Sequence, residues 1–113
     1  MRHIGLVLPL DEQFYRDDHL FVHLRHQLVM LDGEEIALTR NQYCLLVLLL
    51  EHAGEVVPRA IVSRKIFGFE TRARMVKGNI SGLRKKLRIY GDQHIETVPG
   101  VGYRFRRMPE LYS

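Results

Sequence analysis

The sequence predicts an α+β domain with an N-terminal antiparallel sheet, three α-helices and a C-terminal β-hairpin, in that order. Apolar residues alternate in short segments before residue 39, and they recur at helical spacing between residues 40 and 90. The turn sequence "PGVG" then separates two further segments of β-prone residues. With 113 residues, of which 46% are hydrophobic and 27% charged, the chain has the size and composition of one globular domain.

Several segments near the N-terminus favour extended structure. "HIGLVLPL" at 3–10 is apolar, and "HLFVHL" at 19–24 alternates between two faces as a half-buried strand does. "QLVMLDGEEIAL" predicts two strands joined at Asp32 and Gly33, because this dipeptide tolerates the positive φ angles of a tight hairpin. The predicted division of the chain is a lead-in segment with a strand at 1–18, the domain at 19–107 and a tail at 108–113.

The first two helices are predicted from the residues at their ends. Thr39 and Gln42 form the pattern of a capping box, in which each side chain binds the other residue's backbone N–H. The apolar helix that follows ends at Gly54. Pro58 begins the second helix, since proline is favoured in a first turn, and Gly68 ends it.

The third helix is predicted from about Arg72 to Tyr90 and is closed by Gly91. Its buried stripe consists of Val76, Ile80, Leu83, Leu87 and Tyr90. The opposite face carries Arg74, Lys77, Ser81, Lys85 and Arg88. Gly78 and Gly82 also lie away from the stripe, although a glycine within a helix costs about 1 kcal/mol relative to alanine. We interpret them as positions where the backbone approaches a partner closely, against the alternative of drift at exposed positions.

The charge is distributed unevenly along the chain. Residues 1–70 carry seven Lys and Arg against ten Asp and Glu, whereas residues 71–113 carry ten against three. No acidic residue occurs between Thr71 and Gly91, although a solvated helix usually mixes charges of both signs. This asymmetry favours an acidic partner, and duplex DNA is favoured over a membrane surface because the core needs the whole apolar face of the helix.

Other functional classes receive little support from the sequence. The run "YCLLVLLL" is too short to cross a bilayer, and the acidic residues after the N-terminal apolar patch do not fit a signal peptide. Three histidines in "HLFVHLRH" lack the spacing of metal ligands, and no nucleophile–base or nucleotide-binding motif is present. Cys44 has no partner cysteine and reads as a small buried residue. We therefore expect no enzyme activity, cofactor or metal, and a cytoplasmic protein.

Three motifs resemble the winged-helix DNA-binding domain of bacterial OmpR/PhoB-type response regulators. They are "DGEEIALTRNQYCLLVLLLEHAGEVVPRAIV", "RMVKGNISGLRKKL" and "IETVPGVGYRF", and the resemblance covers about residues 19–107. It implies a transcription regulator of a two-component system that binds double-stranded DNA. It also implies that the third helix, at about 72–90, enters the major groove and that the hairpin at 95–106 is a wing beside the minor groove. Tandem binding to direct repeats and contact with RNA polymerase are further implications.

The resemblance assigns the interface residues one by one. Phosphate contacts are implied for Arg74, Asn79, Arg84 and Tyr103. Positions that face base edges in the family correspond to Lys77, Gly78, Ser81 and Gly82. From the charge of the hairpin we expect further backbone contacts from Arg104, Arg106 and Arg107. The chain departs from the family's pattern where Phe67 replaces a tryptophan, Pro58 a capping serine, Pro99 a wing arginine, and Ser81 and Gly82 frequent arginines.

Two questions stay open at the level of sequence. The departures leave a second interpretation, in which a degenerate winged helix binds protein and no longer reads DNA. Family members usually carry a phosphorylated receiver domain upstream, for which 113 residues leave no room. The sequence therefore fits either an effector domain taken from a longer protein or a regulator that stands alone.

Overall fold

The computed structural model of the protein describes residues 14–106. Its strands are β1 Phe14–Arg16, β2 Leu20–His23, β3 Leu28–Leu31, β4 Glu34–Glu35, β5 Val56–Pro58, β6 Ile95–Val98 and β7 Gly102–Phe105. Its helices are α1 Arg40–Glu51, α2 Arg59–Phe67 and α3 Ala73–His94. One antiparallel sheet has the order β1-β2-β3-β4, and the other has the order β5-β7-β6. The α+β class and the winged-helix architecture are confirmed.

The N-terminal sheet contains the predicted hairpin and one strand that was not predicted. Asp32 and Gly33 have φ angles of 52° and 81°, as a tight turn between β3 and β4 requires. Strand β1 pairs with β2, so the sheet begins at Phe14, five residues before the predicted domain boundary. The segment "HIGLVLPL" lies outside the described residues. The inner face of the sheet supplies Leu20, Val22, Val29 and Leu31 to the core.

Helix α1 forms the centre of the core and begins with the predicted cap. The Gln42 amide N–H donates to Thr39 Oγ1 at 3.1 Å, and the Thr39 amide N–H donates to Gln42 Oε1 at 2.9 Å. Leu45, Leu46 and Leu49 are completely buried. Cys44 is only partly buried, so the expectation of a buried cysteine was too strong. None of the helices in the described part of the chain has the length and apolar character needed to span a bilayer.

Helix α3 ends differently from the prediction. Its stripe is buried as expected, but Arg88 leaves the helical conformation with φ 59° and ψ −140°, and a short helical turn continues to His94. Gly91 is not the cap, because a Cβ there would lie 2.8 Å from Arg84 Cα and 2.9 Å from the Arg84 carbonyl oxygen. Glycine is therefore needed for close packing, and the prediction that Gly91 closes the helix was wrong.

The C-terminal hairpin is joined by a third strand. Strand β5 precedes α2 and pairs with β7 through Val57 and Tyr103. A Cβ on Gly102 would lie 2.0 Å from the Val57 carbonyl oxygen, so only glycine allows the two strands to approach this closely. Phe105 on β7 is 1% exposed and brings the hairpin into the same core as α1 and α3.

Candidate nucleic-acid interface

The exposed face of α3 is a basic surface on which several cations have no internal partners in the described chain. Within residues 14–106, four basic residues near this helix are exposed and form no side-chain hydrogen bond or ion pair. They are Arg72, Arg74, Lys77 and Lys85. The first was not predicted as a site residue, although its position at the N-cap of α3 places it beside the predicted face. Ser81 is exposed between Lys77 and Lys85.

The two glycines of this helix have different surroundings. Gly78 is exposed, and a Cβ added there would meet no atom within 4 Å. A Cβ on Gly82 would lie 2.9 Å from Gln42 Nε2 at the start of α1. The space beside Gly78 is therefore open, and close approach of a partner there stays a prediction. The missing side chain of Gly82 makes room for Gln42, and its close approach to a partner stays a prediction.

Arg84 points along the protein surface and not into open solvent. Its Nε and Nη2 atoms both donate to the Ile95 carbonyl oxygen, at 3.1 and 2.6 Å. Nη2 also donates to Thr97 Oγ1 at 2.9 Å. The guanidinium therefore joins α3 to strand β6, and the phosphate contact implied by the resemblance stays a prediction for a group that already has three hydrogen bonds.

Two other basic residues of α3 contact the segment that contains β4 and leads into α1. Lys86 Nζ donates to the Ala37 carbonyl oxygen at 2.8 Å, and Arg88 Nη2 lies 3.4 Å from Glu34 Oε1. The helical wheel placed Arg88 with Arg74 and Lys77, but the wheel assumes a straight helix. Because the backbone departs from helical geometry at Arg88, its side chain reaches the hairpin of the N-terminal sheet.

The C-terminal end of α3 is also tied to this sheet by an acidic residue that the sequence did not single out. The hydroxyl groups of Tyr15 and Tyr90 both donate to Asp17 Oδ2. The other carboxylate oxygen, Oδ1, accepts from the amides of His19 and Leu20 at 2.8 Å each. Burial, more than the neighbouring Asp17, raises the pKa of both tyrosines, so they stay protonated donors at neutral pH.

The arginines of the wing are paired within the protein. Arg104 Nε and Nη2 donate to the two carboxylate oxygens of Glu96 at 3.1 and 3.0 Å. Arg106 Nη2 lies 3.6 Å from Glu96 Oε1. The hydrogen bond from Arg104 lowers the pKa of the Glu96 carboxyl and raises the pKa of Arg104. The Glu96 carboxylate therefore offsets part of the positive charge expected from the wing. Arg107 lies outside the described residues.

Two predicted phosphate contacts have limited freedom. Tyr103 is 3% exposed on the central strand of the second sheet, so little of it is accessible to a ligand. Asn79 is partly buried on α3, and its Nδ2 donates to the Met75 carbonyl oxygen at 3.3 Å. Both stay predictions.

The connection between α2 and α3 is held by a buried serine. Ser63 Oγ accepts from the Thr71 amide at 2.7 Å and donates to the Phe69 carbonyl oxygen at 2.8 Å. Arg64 Nη1 lies 2.9 Å from Glu70 Oε2. Phe69 itself is 62% exposed, so the connection presents an aromatic ring to solvent.

The histidines of the N-terminal sheet do not form a metal site. No group of three or more His, Cys, Asp and Glu side chains within residues 14–106 could hold an ion. His19 Nδ1 instead lies 2.7 Å from Asp32 Oδ1, and this hydrogen bond raises the pKa of His19.

Comparison with known proteins agrees with this architecture. Residues 33–105 match the family model described as "Transcriptional regulatory protein, C terminal". The transcriptional regulatory protein QseB of Escherichia coli O157:H7 is 36% identical over 71% of this chain and 40% of its own length. The response regulator ArlR of Staphylococcus aureus is 41% identical over 69% of this chain and 37% of its own length. The chain thus spans about two fifths of the curated relatives it matches.

Solved structures give the same result. The DNA-binding domain of CpxR from E. coli is 30% identical, with a TM-score of 0.74 over 84% of this chain and 97% of that one. The DNA-binding domain of Klebsiella pneumoniae RstA, solved in complex with the RstA box, is 31% identical, with a TM-score of 0.74 over 82% and 96%. The chain therefore belongs to the family of transcriptional regulatory protein C-terminal domains, as an OmpR/PhoB-type winged helix.

Proposed function

We propose that this chain binds double-stranded DNA sequence-specifically as the effector part of a bacterial transcriptional regulator. The exposed face of α3 enters the major groove, and the hairpin at 95–106 lies beside the adjacent minor groove. One observation carries this proposal: four exposed cations without internal partners lie at the N-cap and along the exposed face of α3, on both sides in sequence of a glycine with open space above it. A groove about 12 Å wide admits a helix, and phosphates on both sides attract its basic residues.

The proposal divides the residues of α3 by role. Arg72, Arg74 and Lys85 are free to contact phosphates, and Lys77 is positioned to reach base edges together with Ser81. No arginine of the described chain is free at the middle of the face to grip a guanine with two hydrogen bonds. Sequence preference therefore rests on short polar contacts and on DNA shape.

Other parts of the proposal follow from family membership. We include a cytoplasmic location, absence of enzyme activity, tandem binding to direct repeats and contact with RNA polymerase. The exposed ring of Phe69 between α2 and α3 is a suitable point for that last contact. The DNA complex of the similar RstA domain favours DNA binding over the alternative of a protein-interaction module.

Binding to random duplex DNA at several salt concentrations tests the proposal. Each neutralised phosphate contributes about −0.9 to the slope of log affinity against log salt, so four free cations predict a slope of about −3.6. Selection of sites from a random duplex pool should then yield a shared sequence. Binding that does not weaken with salt, or the absence of any enriched sequence, would contradict the proposal.

A further inference from the structure

We infer that Arg84 is a positioning residue for DNA binding, which sets the wing relative to α3 and does not contact phosphate. The inference rests on the proposed function, since it assigns a role within the same interface. It differs from the phosphate contact that the resemblance implies for this residue.

The guanidinium of Arg84 is already bound within the protein. Nε and Nη2 both donate to the carbonyl oxygen of Ile95, the first residue of β6, and Nη2 also donates to Thr97 Oγ1. A guanidinium has five N–H donors in one plane, and these three bonds leave only the pair on Nη1. Neither edge of the planar fork remains free for a two-bond grip on a phosphate.

The backbone between α3 and the wing also passes close to Arg84. Helix α3 is kinked at Arg88, which has a positive φ, and Gly91 after the kink packs directly on the backbone of Arg84. Four residues after Gly91, β6 begins at Ile95. Arg84 therefore touches this connection twice, through its backbone at Gly91 and through its side chain at Ile95. Together the two contacts close a rigid joint between the helix and the wing.

The base of the hairpin is hydrogen-bonded to the same connection. The Arg106 amide donates to the His94 carbonyl oxygen at 2.6 Å, and His94 Nδ1 lies 2.9 Å from the Arg106 carbonyl oxygen. The ring of His94 is buried between Tyr90 and Phe105. The base of the hairpin therefore moves with the segment that Arg84 holds, and a change at Arg84 should alter the direction of the whole wing.

The test replaces Arg84 by lysine, which keeps the charge but cannot form the fork. Arg25→Lys is the matched control, because Arg25 is an exposed arginine without an internal partner among the described residues that lies outside the proposed interface, in the turn between β2 and β3. Duplex DNA selected by the parent protein is the probe, and affinity, salt slope and hydroxyl-radical footprint are measured. We expect Arg84→Lys to bind about tenfold more weakly, with the parent's salt slope and with protection lost only where the wing lies. Arg25→Lys should resemble the parent in all three measurements.

A second experiment avoids any variant and is read in the parent protein. The Arg84 Nε–H should exchange slowly with water before DNA is added, and its resonance should not shift on DNA binding. Arg84→Met separates the two roles further: it should lose wing protection at an unchanged salt slope if Arg84 only positions the wing.

The inference is overturned if Arg84→Met flattens the salt slope by about one unit while the wing footprint stays complete. It is also overturned if the Nε–H exchanges freely in the free protein, or if Arg84→Lys keeps the parent's affinity and footprint. Failure of the parent itself to bind DNA in a salt-dependent way would instead reject the proposed function. The two failures are therefore distinguishable.

Discussion

Replacement of Gly78 and Gly82 by alanine, one at a time, separates contact with DNA from packing within the protein. Both residues lie within α3, where alanine is favoured over glycine by about 1 kcal/mol. A methyl group on Gly78 enters open space, since no atom lies within 4 Å of its position. Gly78→Ala should therefore raise the free energy of unfolding by the full amount of about 1 kcal/mol.

At Gly82 the same gain is opposed by a neighbour. The new methyl group would lie 2.9 Å from Gln42 Nε2, so the amide must move. The Oε1 atom of that amide accepts the Thr39 N–H in the capping box, and loss of such a bond costs about 1 kcal/mol. The two terms are of similar size, and we expect Gly82→Ala to have nearly the parent's stability.

Thermal unfolding measures this difference directly. For a domain of this size a gain of 1 kcal/mol raises the melting temperature by about 4–8 °C, which we expect for Gly78→Ala alone. Overpacking of a close interface costs about 1–3 kcal/mol, so the same variant should bind selected DNA about five- to hundredfold more weakly. If Gly78→Ala is stabilised and binds as tightly as the parent, the groove does not approach the helix at this position. Equal stabilisation of both variants would refute the packing argument for Gly82.

Three further predictions concern charged groups. Arg74→Ala should flatten the salt slope of DNA binding by about one unit, whereas Arg88→Ala, which already has an acidic partner, should leave it unchanged. Glu96→Gln should release the wing arginines and steepen the salt slope of DNA binding. The lowered pKa of Glu96 stabilises the fold above pH 4.5, and that contribution disappears as pH falls through the folded pKa. The parent should therefore lose more stability in acid than this variant. The raised pKa of His19 has the opposite sign: its ion pair stabilises the fold below pH 6.5 and is lost as pH rises through the folded pKa. In an NMR titration, Asp32→Asn should return this pKa toward 6.5, and an unchanged value would exclude the ion pair as its cause.

Local chemistry predicted the elements whose ends are fixed by their own residues. Thr39 and Gln42 cap α1 by side chains three residues apart, and Asp32 with Gly33 forms its turn without help from the rest of the chain. The buried stripe of α3 follows from helical spacing alone. In each case the interacting groups are close in sequence, which is why a pattern could reveal them.

The elements that were missed depend on partners far along the chain. Strands β1 and β5 have three residues each, too few for an alternating pattern, and they are strands because β2 and β7 pair with them. The end of α3 was misplaced for a related reason. Gly91 has the residue type of a helix cap, but its neighbour in space is the backbone of Arg84, and the positive φ belongs to Arg88.

Partners far along the chain also decide which basic residues are free to meet phosphates. Residues 71–113 contain ten basic residues, and if all of them met phosphates the salt slope would be roughly −9. In the structure Arg84 and Lys86 donate to carbonyl oxygens, while Arg88, Arg104 and Arg106 lie beside carboxylates. Arg84, Lys86 and Arg88 tie α3 to the wing and to the segment around β4, whereas Arg104 and Arg106 pair within the wing. Among the described residues from 71 onward, the cations without internal partners lie at the N-cap and on the exposed face of α3. A measured slope of about −3.6, the value for four free cations, would mean that some basic residues of this domain bind DNA while others hold its elements in place. A slope of roughly −9, the value for all ten basic residues, would mean that the internal pairs open when DNA binds.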